Sequence, residues 1–107
     1  MTWTVEFFDG AEDELRRLPV GLRARIVRLL GVIEAAGLES LHEPHAKHLE
    51  GKLWELRAKA PEGIARGFYL TMTGRRVVVL HVFVKKSDKT PPRALEIARD
   101  RMRRLLT

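Results

Sequence analysis

Apolar and polar positions near the start of the chain change from a period of two to a helical period. The apolar residues of the first segment occupy every second position: Trp3, Val5 and Phe7. This alternation predicts a half-buried strand, because successive strand side chains point to opposite faces. Two helices should follow, a short one that Pro19 ends and a longer one that ends before Gly37. We expect Asp9 to cap the first helix, with Glu12 three residues later completing a capping box.

Three apolar segments in the second half of the chain predict the remaining strands: residues 53–58, 64–72 and 76–84. Their short connections favour an antiparallel meander, and the third, which is apolar on both faces, should lie inside the sheet. Residues 38–51 show no periodicity and are predicted to form a loop. A final helix should begin near Thr90-Pro91, since proline is common at the first helical position. Its apolar stripe consists of Leu95, Ala98, Met102, Leu105 and Leu106.

The predicted element order is β-α-α-β-β-β-α, so we expect a small α+β fold that forms a single domain over residues 1–107. The chain has no cysteine, which excludes disulfides and thiolate metal sites. Its N-terminal segment is too acidic for a signal peptide, and no apolar run is long enough to span a membrane. The sequence therefore predicts a cytoplasmic protein with no membrane partner.

The whole chain has a formal net charge of +6, and its positive charge is concentrated in the second half. Residues 1–50 contain 6 Lys and Arg against 9 Asp and Glu, whereas residues 51–107 contain 14 against 5. Such an excess favours a polyanionic partner, either nucleic acid or an acidic protein, although a solvated basic surface explains it equally well. The densest basic segment joins a strand end to the last helix and includes Lys85, Lys86 and Lys89.

Arg57 is a candidate for anion recognition in the middle of a predicted strand. Alternation places Arg57 and Glu55 on one face and Trp54 and Leu56 on the other. A surface ion pair between Arg57 and Glu55 would explain both residues without any function.

Arg66 and Tyr69 lie in the next strand, where regular alternation sends them to opposite faces. A bulge at Gly67 would change that register, so the sequence leaves their relative placement open. Tyr69 is equally well explained as a core aromatic residue. His81 interrupts an apolar strand and is better explained as a hydrogen-bonded structural residue than as a catalyst.

Three histidines in the predicted loop, His42, His45 and His48, could bind zinc, but Pro44 leaves their geometry undefined. We assign no metal and no other cofactor. The chain has no Gly-rich phosphate loop, nucleophile elbow or paired-carboxylate motif. Lysine, arginine and tyrosine can still support the cleavage of RNA by its own 2′-hydroxyl, which needs a base, an acid and cations for the phosphorane charge. A binding module would contain the same residues.

A series of short motifs follows the order and spacing of one family: Lys47-His-Leu49, Leu53-Trp-Glu-Leu-Arg57, Arg66-Gly-Phe-Tyr69, Leu80-His-Val-Phe83-Val-Lys85-Lys86, Lys89-Thr-Pro91 and Glu96-Ile-Ala98-Arg-Asp-Arg101. Through these motifs the chain resembles the RelE/ParE toxin superfamily, specifically its HigB-like, phage-derived branch. The resemblance covers roughly residues 3–106. Each motif is weak alone, but LWELR, FVKK and KTP before an Arg-rich helix are specific as a series.

The resemblance implies a RelE-like fold and the activity of a type II toxin, a ribosome-dependent mRNA endoribonuclease that inhibits translation. The catalytic candidates that it implies are Arg57, Arg66, Tyr69 and Lys85. The residues that would bind RNA are Lys47, Lys52, Lys86, Lys89 and Arg93. The expected partners are the ribosome with its mRNA and a helix-turn-helix antitoxin, with operator DNA contacted only through the antitoxin.

Two other functions stay open from the sequence. A ParE-like member of the same superfamily would bind DNA gyrase without cleaving RNA. A nucleic-acid-binding regulator would bind without any catalysis, and its affinity would fall steeply with salt. The accumulation of lysine and arginine around the predicted second to fourth strands favours RNA over gyrase.

Overall fold

The fold combines five strands and three α-helices in a computed structural model that describes residues 2–85 and 89–107. In chain order the elements are β1 (Thr4–Phe7), α1 (Ala11–Arg16), α2 (Val20–Ala36), β2 (Ala46–Glu50), β3 (Leu53–Ala60), β4 (Gly63–Met72), β5 (Arg76–Lys85) and α3 (Pro92–Leu106). A single turn of 3₁₀ helix follows α2 at Leu38–Ser40. No helix in the described ranges is long and apolar enough to cross a membrane.

The five strands form one mixed sheet in the order β1-β5-β4-β3-β2. The pairs β2/β3, β3/β4 and β4/β5 are antiparallel, which confirms the predicted meander of the last three strands. β1 instead lies parallel to β5. β5 is therefore an interior strand, as its two apolar faces predicted.

One strand lies where the sequence predicted a loop. β2 pairs with β3 from Ala46 opposite Leu56 to Glu50 opposite Leu53. The loop prediction for residues 38–51 was wrong at this point because β2 is a short edge strand in which Ala46 alone is fully buried. A polar edge strand lacks the apolar alternation by which strands are recognised in a sequence.

The predicted capping box at the start of α1 is also wrong. The N-cap residue is Gly10, which has a φ of 90°, and no side chain of the described residues caps this helix. The chain turns through Gly10, so Asp9 lies one position too early to reach the first turn. Glu12 forms a 3.4 Å ion pair with Arg16 instead.

Apolar cores lie on both sides of the sheet. The core on the side that we call the α2 face includes Leu15, Leu22, Ile26, Leu30, Leu56, Tyr69, Val77 and Val79. The core on the other side, the α3 face, includes Leu53, Phe68, Leu70, Val78, Leu80, Ala94 and Ala98. Ala94 was missing from the predicted stripe of α3, and Leu106 is 45% exposed. Leu105 takes the inward position in the last turn, and its neighbour Leu106 is rotated by about 100° around the helix axis.

Candidate functional site

Two arginines lie directly opposite each other on the α3 face. Arg57 of β3 is in register with Arg66 of β4, and such partners project from the same face of the sheet. Because like charges at this spacing repel each other, the pair needs a counter-charge. Glu55 supplies it: its Oε2 accepts a 2.6 Å hydrogen bond from Arg66 Nη1, and its Oε1 lies 3.9 Å from Arg57 Nε.

Burial distinguishes the two arginines of this pair. The side chains of Glu55 and Arg66 are 1% and 4% exposed, whereas that of Arg57 is 34% exposed. Glu55 and Arg66 neutralise each other, so the charge of Arg57 is not cancelled by them. Glu55 Oε1 accepts no hydrogen bond within the described part of the chain. The site therefore presents one guanidinium to solvent beside a buried ion pair, an arrangement that suits an anionic ligand.

The end of β5 and the residues just before α3 adjoin this arginine pair. Lys85 projects from the α3 face near Arg66 and is 3% exposed. Thr90 Oγ1 lies 3.4 Å from Arg66 Nη1, which brings the start of α3 to the site. Lys89 is exposed, and Lys86 lies outside the described residues. The structure thus brings Arg57, Arg66 and Lys85 to one face of the sheet.

Tyr69 lies on the opposite side of the sheet. The sequence left a bulge at Gly67 open. The irregularity between these strands is in β5, where Leu80 is the extra residue, so β4 alternates regularly from Arg66 to Tyr69. Tyr69 is 1% exposed within the α2-face core, and burial raises the pKa of its hydroxyl to about 12. The structure therefore separates Tyr69 from the arginines and keeps it protonated at neutral pH.

Phe83 is the aromatic residue that lies beside the arginines. It is directly opposite Arg66 in the register of β4 and β5 and is half-buried. Its ring stacks on His81 and meets Phe68 edge to face, with ring centroids 5.1 Å apart in both cases. Sequence reasoning missed Phe83, although its parity with Lys85 in the same strand could have indicated the shared face.

The other predicted RNA-binding residues are dispersed. Lys47 of β2 is exposed and in register with Glu55, so it borders the arginine pair on the α3 face. Lys52 is exposed in the turn between β2 and β3. Arg93 is exposed in the first turn of α3, where its Nη1 lies 3.8 Å from Glu96 Oε2. Of these three, Lys47 is the residue that strand register joins to the arginines.

The three loop histidines have different surroundings. His48 Nε2 is 2.7 Å from the carbonyl oxygen of Gly51, and His42 Nδ1 is 3.3 Å from that of Glu43. His45 is exposed immediately before β2. In residues 2–85 and 89–107, no group of three or more potential ligands could hold a metal ion.

His81 joins three elements of the fold through Glu14. Its Nδ1–H donates to Glu14 Oε1 at 3.0 Å, and the same oxygen accepts hydrogen bonds from Arg101 Nη1 at 2.9 Å and from the Val82 amide at 3.1 Å. Arg101 also donates to the carbonyl of Leu80, the bulged residue, at 2.8 Å. These contacts tie α1, β5 and α3 together behind the site and give His81 a structural role.

Acidification should remove the stabilisation that Glu14 provides. Burial raises the pKa of Glu14, but the hydrogen bonds from His81, Arg101 and Val82 outweigh burial and lower it to about 2. Because the folded state favours the ionised form, this contribution is complete above the ordinary pKa of 4.5 and is lost as the pH falls towards 2. We expect the free energy of unfolding to fall by up to about 3 kcal/mol over that interval.

Urea denaturation at a series of pH values measures this loss. The variant Glu14→Gln should be less stable than the original protein at neutral pH and should show a flatter pH profile below 4.5. Identical profiles for the two proteins would refute the assigned role of Glu14.

Solved toxin structures share this fold. An arginine double mutant of E. coli toxin RelE in the free state has a TM-score of 0.65 at 15% identity, over 98% of this chain and 99% of that chain. The toxin–antitoxin complex RelBE2 from Mycobacterium tuberculosis has a TM-score of 0.59 at 23% identity, over 79% of this chain and 100% of that chain. The archaeal RelE–RelB complex from Pyrococcus horikoshii has a TM-score of 0.58 at 19% identity, over 78% of this chain and 96% of that chain. The expected RelE-like fold is therefore confirmed.

Sequence comparison gives the family. No curated protein matches the chain. The model of the family described as "Phage derived protein Gp49-like" matches residues 13–103, from α1 to the last turns of α3. This range includes the arginine pair, Glu55 and the end of β5, and the family is of the RelE/HigB type that the motif series predicted. The chain belongs to the Gp49-like family of phage-derived proteins.

Proposed function

We propose that this protein is the toxin of a type II toxin–antitoxin system and that it cleaves mRNA on the ribosome. One observation carries the proposal: Arg57 and Arg66 lie in register on the α3 face, and Glu55 contacts both of them. The partly exposed guanidinium of Arg57, held beside the buried pair of Glu55 and Arg66, would bind a phosphate at this point of the α3 face. The family membership and the RelE-like fold support the toxin assignment.

The proposed cleavage uses the ribose 2′-oxygen of the RNA as the nucleophile. This oxygen attacks the adjacent phosphorus and loses its proton to a base. The bond from phosphorus to the 5′-oxygen breaks as that oxygen gains a proton, which leaves a 2′,3′-cyclic phosphate and a 5′-hydroxyl. Negative charge accumulates on the non-bridging oxygens during the attack, and fixed cations stabilise it.

The residues of the α3 face can be assigned to steps of this reaction. Arg57, the more exposed arginine, would contact the non-bridging oxygens, and Arg66 with Glu55 would hold it in position. Lys85 remains the candidate for proton transfer. Phe83 would stack against a base next to the scissile phosphate.

An antitoxin is part of the proposal. The M. tuberculosis structure is the toxin–antitoxin complex RelBE2, and the P. horikoshii structure is a RelE–RelB complex. By analogy, a helix-turn-helix antitoxin would neutralise this protein and would carry the complex to operator DNA. The proposed location is the cytoplasm, where the ribosomes are.

The proposal predicts growth arrest when the protein is expressed without an antitoxin. Purified protein should cut mRNA within translated codons on programmed 70S ribosomes, as mapped by primer extension, and an Arg57→Ala variant should cut it far more slowly. Intact mRNA in this assay would refute the proposal. Gyrase-dependent DNA breaks together with intact mRNA would assign the protein to the ParE-like alternative.

A further inference from the structure

A groove beside α2 is lined by basic side chains, and none of the described residues that line it is acidic. It has a volume of about 580 Å³ and lies between α2, the segment before β2 and the free end of β3. Its titratable lining in the described part of the chain consists of Arg25, Arg28, His45, Arg57 and Lys59.

The groove exists because β2 is shorter than β3. The pairing of the two strands ends at Ala46 opposite Leu56, and the Arg57 amide then donates to the carbonyl of His45 at 2.9 Å. From Ala58 to Ala60, β3 still pairs with β4, but no strand of the described residues lies along its other edge. Side chains from both faces of the sheet border such an open edge. Arg57, which projects from the α3 face, therefore also lines this groove.

The cations of the groove differ from the arginines of α3 in their partners. Arg25 and Arg28 lie three residues apart on α2, and neither they nor Lys59 forms an ion pair or side-chain hydrogen bond with any described residue. Like charges at this spacing destabilise a helix slightly. By contrast, all five arginines of α3 form ion pairs, with Glu96, Glu50, Glu14 and Asp100.

We infer that this groove binds the sugar–phosphate backbone of single-stranded RNA on one side of the scissile phosphate. Arg57 belongs to both the groove and the arginine pair, so an RNA with one phosphate at Arg57 would place neighbouring phosphates along α2. The fork of arginine matches phosphate oxygens, which suits Arg25 and Arg28 for these contacts. The inference rests on the proposed function in one respect, the identity of the polyanion as RNA.

A charge-matched pair of variants tests the inference. Arg25→Gln with Arg28→Gln removes two charges from the groove. The control, Arg16→Gln with Arg103→Gln, removes two charges at side chains that are 66% and 74% exposed and that pair with carboxylates. The probe is a short, fluorescently labelled single-stranded 2′-O-methyl oligoribonucleotide, which lacks the 2′-hydroxyl that cleavage needs. Thermal unfolding should be alike in both variants, because all four arginines are exposed.

We expect the groove variant to bind this probe about 20-fold more weakly than the original protein at 0.1 M salt, with the control nearly unchanged. The slope of log affinity against log salt should become less steep by about 1.4, because two phosphate contacts are lost. Equal weakening of both variants would show an effect of net charge alone and would overturn the inference. So would a groove variant that binds RNA normally but loses binding to polyglutamate.

The same variants separate this inference from the proposed function. If the original protein leaves mRNA intact on programmed ribosomes while the groove variant alone loses RNA binding, the proposed function fails and the groove assignment stands. If cleavage occurs and the groove variant binds RNA like the original protein, the groove assignment fails and the proposed function stands.

Discussion

Replacing Arg57 with alanine should slow mRNA cleavage on programmed ribosomes by about 10²-fold or more, because one fixed charge that stabilises the transition state is lost. The fold should remain intact. Arg57 is 34% exposed, and the ion pair that it forms within the described residues is the 3.9 Å contact with Glu55. A partly exposed pair at this distance contributes about 0–1 kcal/mol to stability.

Single-turnover cleavage rates and thermal unfolding of the same samples measure the two effects separately. Arg57→Lys keeps the charge but loses the planar fork, so its rate should lie between those of the original protein and the alanine variant. Arg16→Ala, a change at another exposed arginine, is the matched control and should leave the rate unchanged. Cleavage by Arg57→Ala at the original rate would remove Arg57 from the mechanism.

Replacing Arg66 with alanine should destabilise the protein by about 3–5 kcal/mol, because Glu55 would be left buried without its partner. The two side chains are 4% and 1% exposed, and the 2.6 Å bond between them is the principal hydrogen bond of the Glu55 carboxylate. Urea denaturation measures this loss. Slower cleavage by Arg66→Ala would therefore have two causes, partial unfolding of the protein and the loss of Arg66 from the site.

A double variant separates the structural role of this pair from its functional role. Buried ion pairs that are replaced by apolar residues of similar volume often keep or gain stability, so Glu55→Leu with Arg66→Met should recover most of the loss. We expect its cleavage to stay far below that of the original protein, because Arg57 would lose the pair that positions it. Recovery of stability and of cleavage together would show that the pair is structural. If the double variant is as unstable as Arg66→Ala, the loss of stability in Arg66→Ala does not come from the unpaired Glu55 carboxylate.

Strand periodicity predicted the shared face of Glu55 and Arg57 correctly. β3 is regular, so Glu55 and Arg57 share one face while Leu56 is buried on the other. The burial of Glu55 could not be predicted in the same way. A carboxylate two residues from an arginine gives the same sequence pattern whether their face of the sheet is exposed or covered. Whether this face is covered depends on the packing of α3 and of the partner strand β4.

The sequence by itself determined the order of most elements, the family through its motif series, and the concentration of lysine and arginine in the second half. The tertiary structure decided that Tyr69 lies away from the arginines, that β2 is an edge strand, and that a basic groove meets Arg57 where β2 ends. Periodicity along a chain reports the direction of each side chain relative to its neighbours. Burial, strand order and the meeting of residues distant in sequence depend instead on how the elements pack.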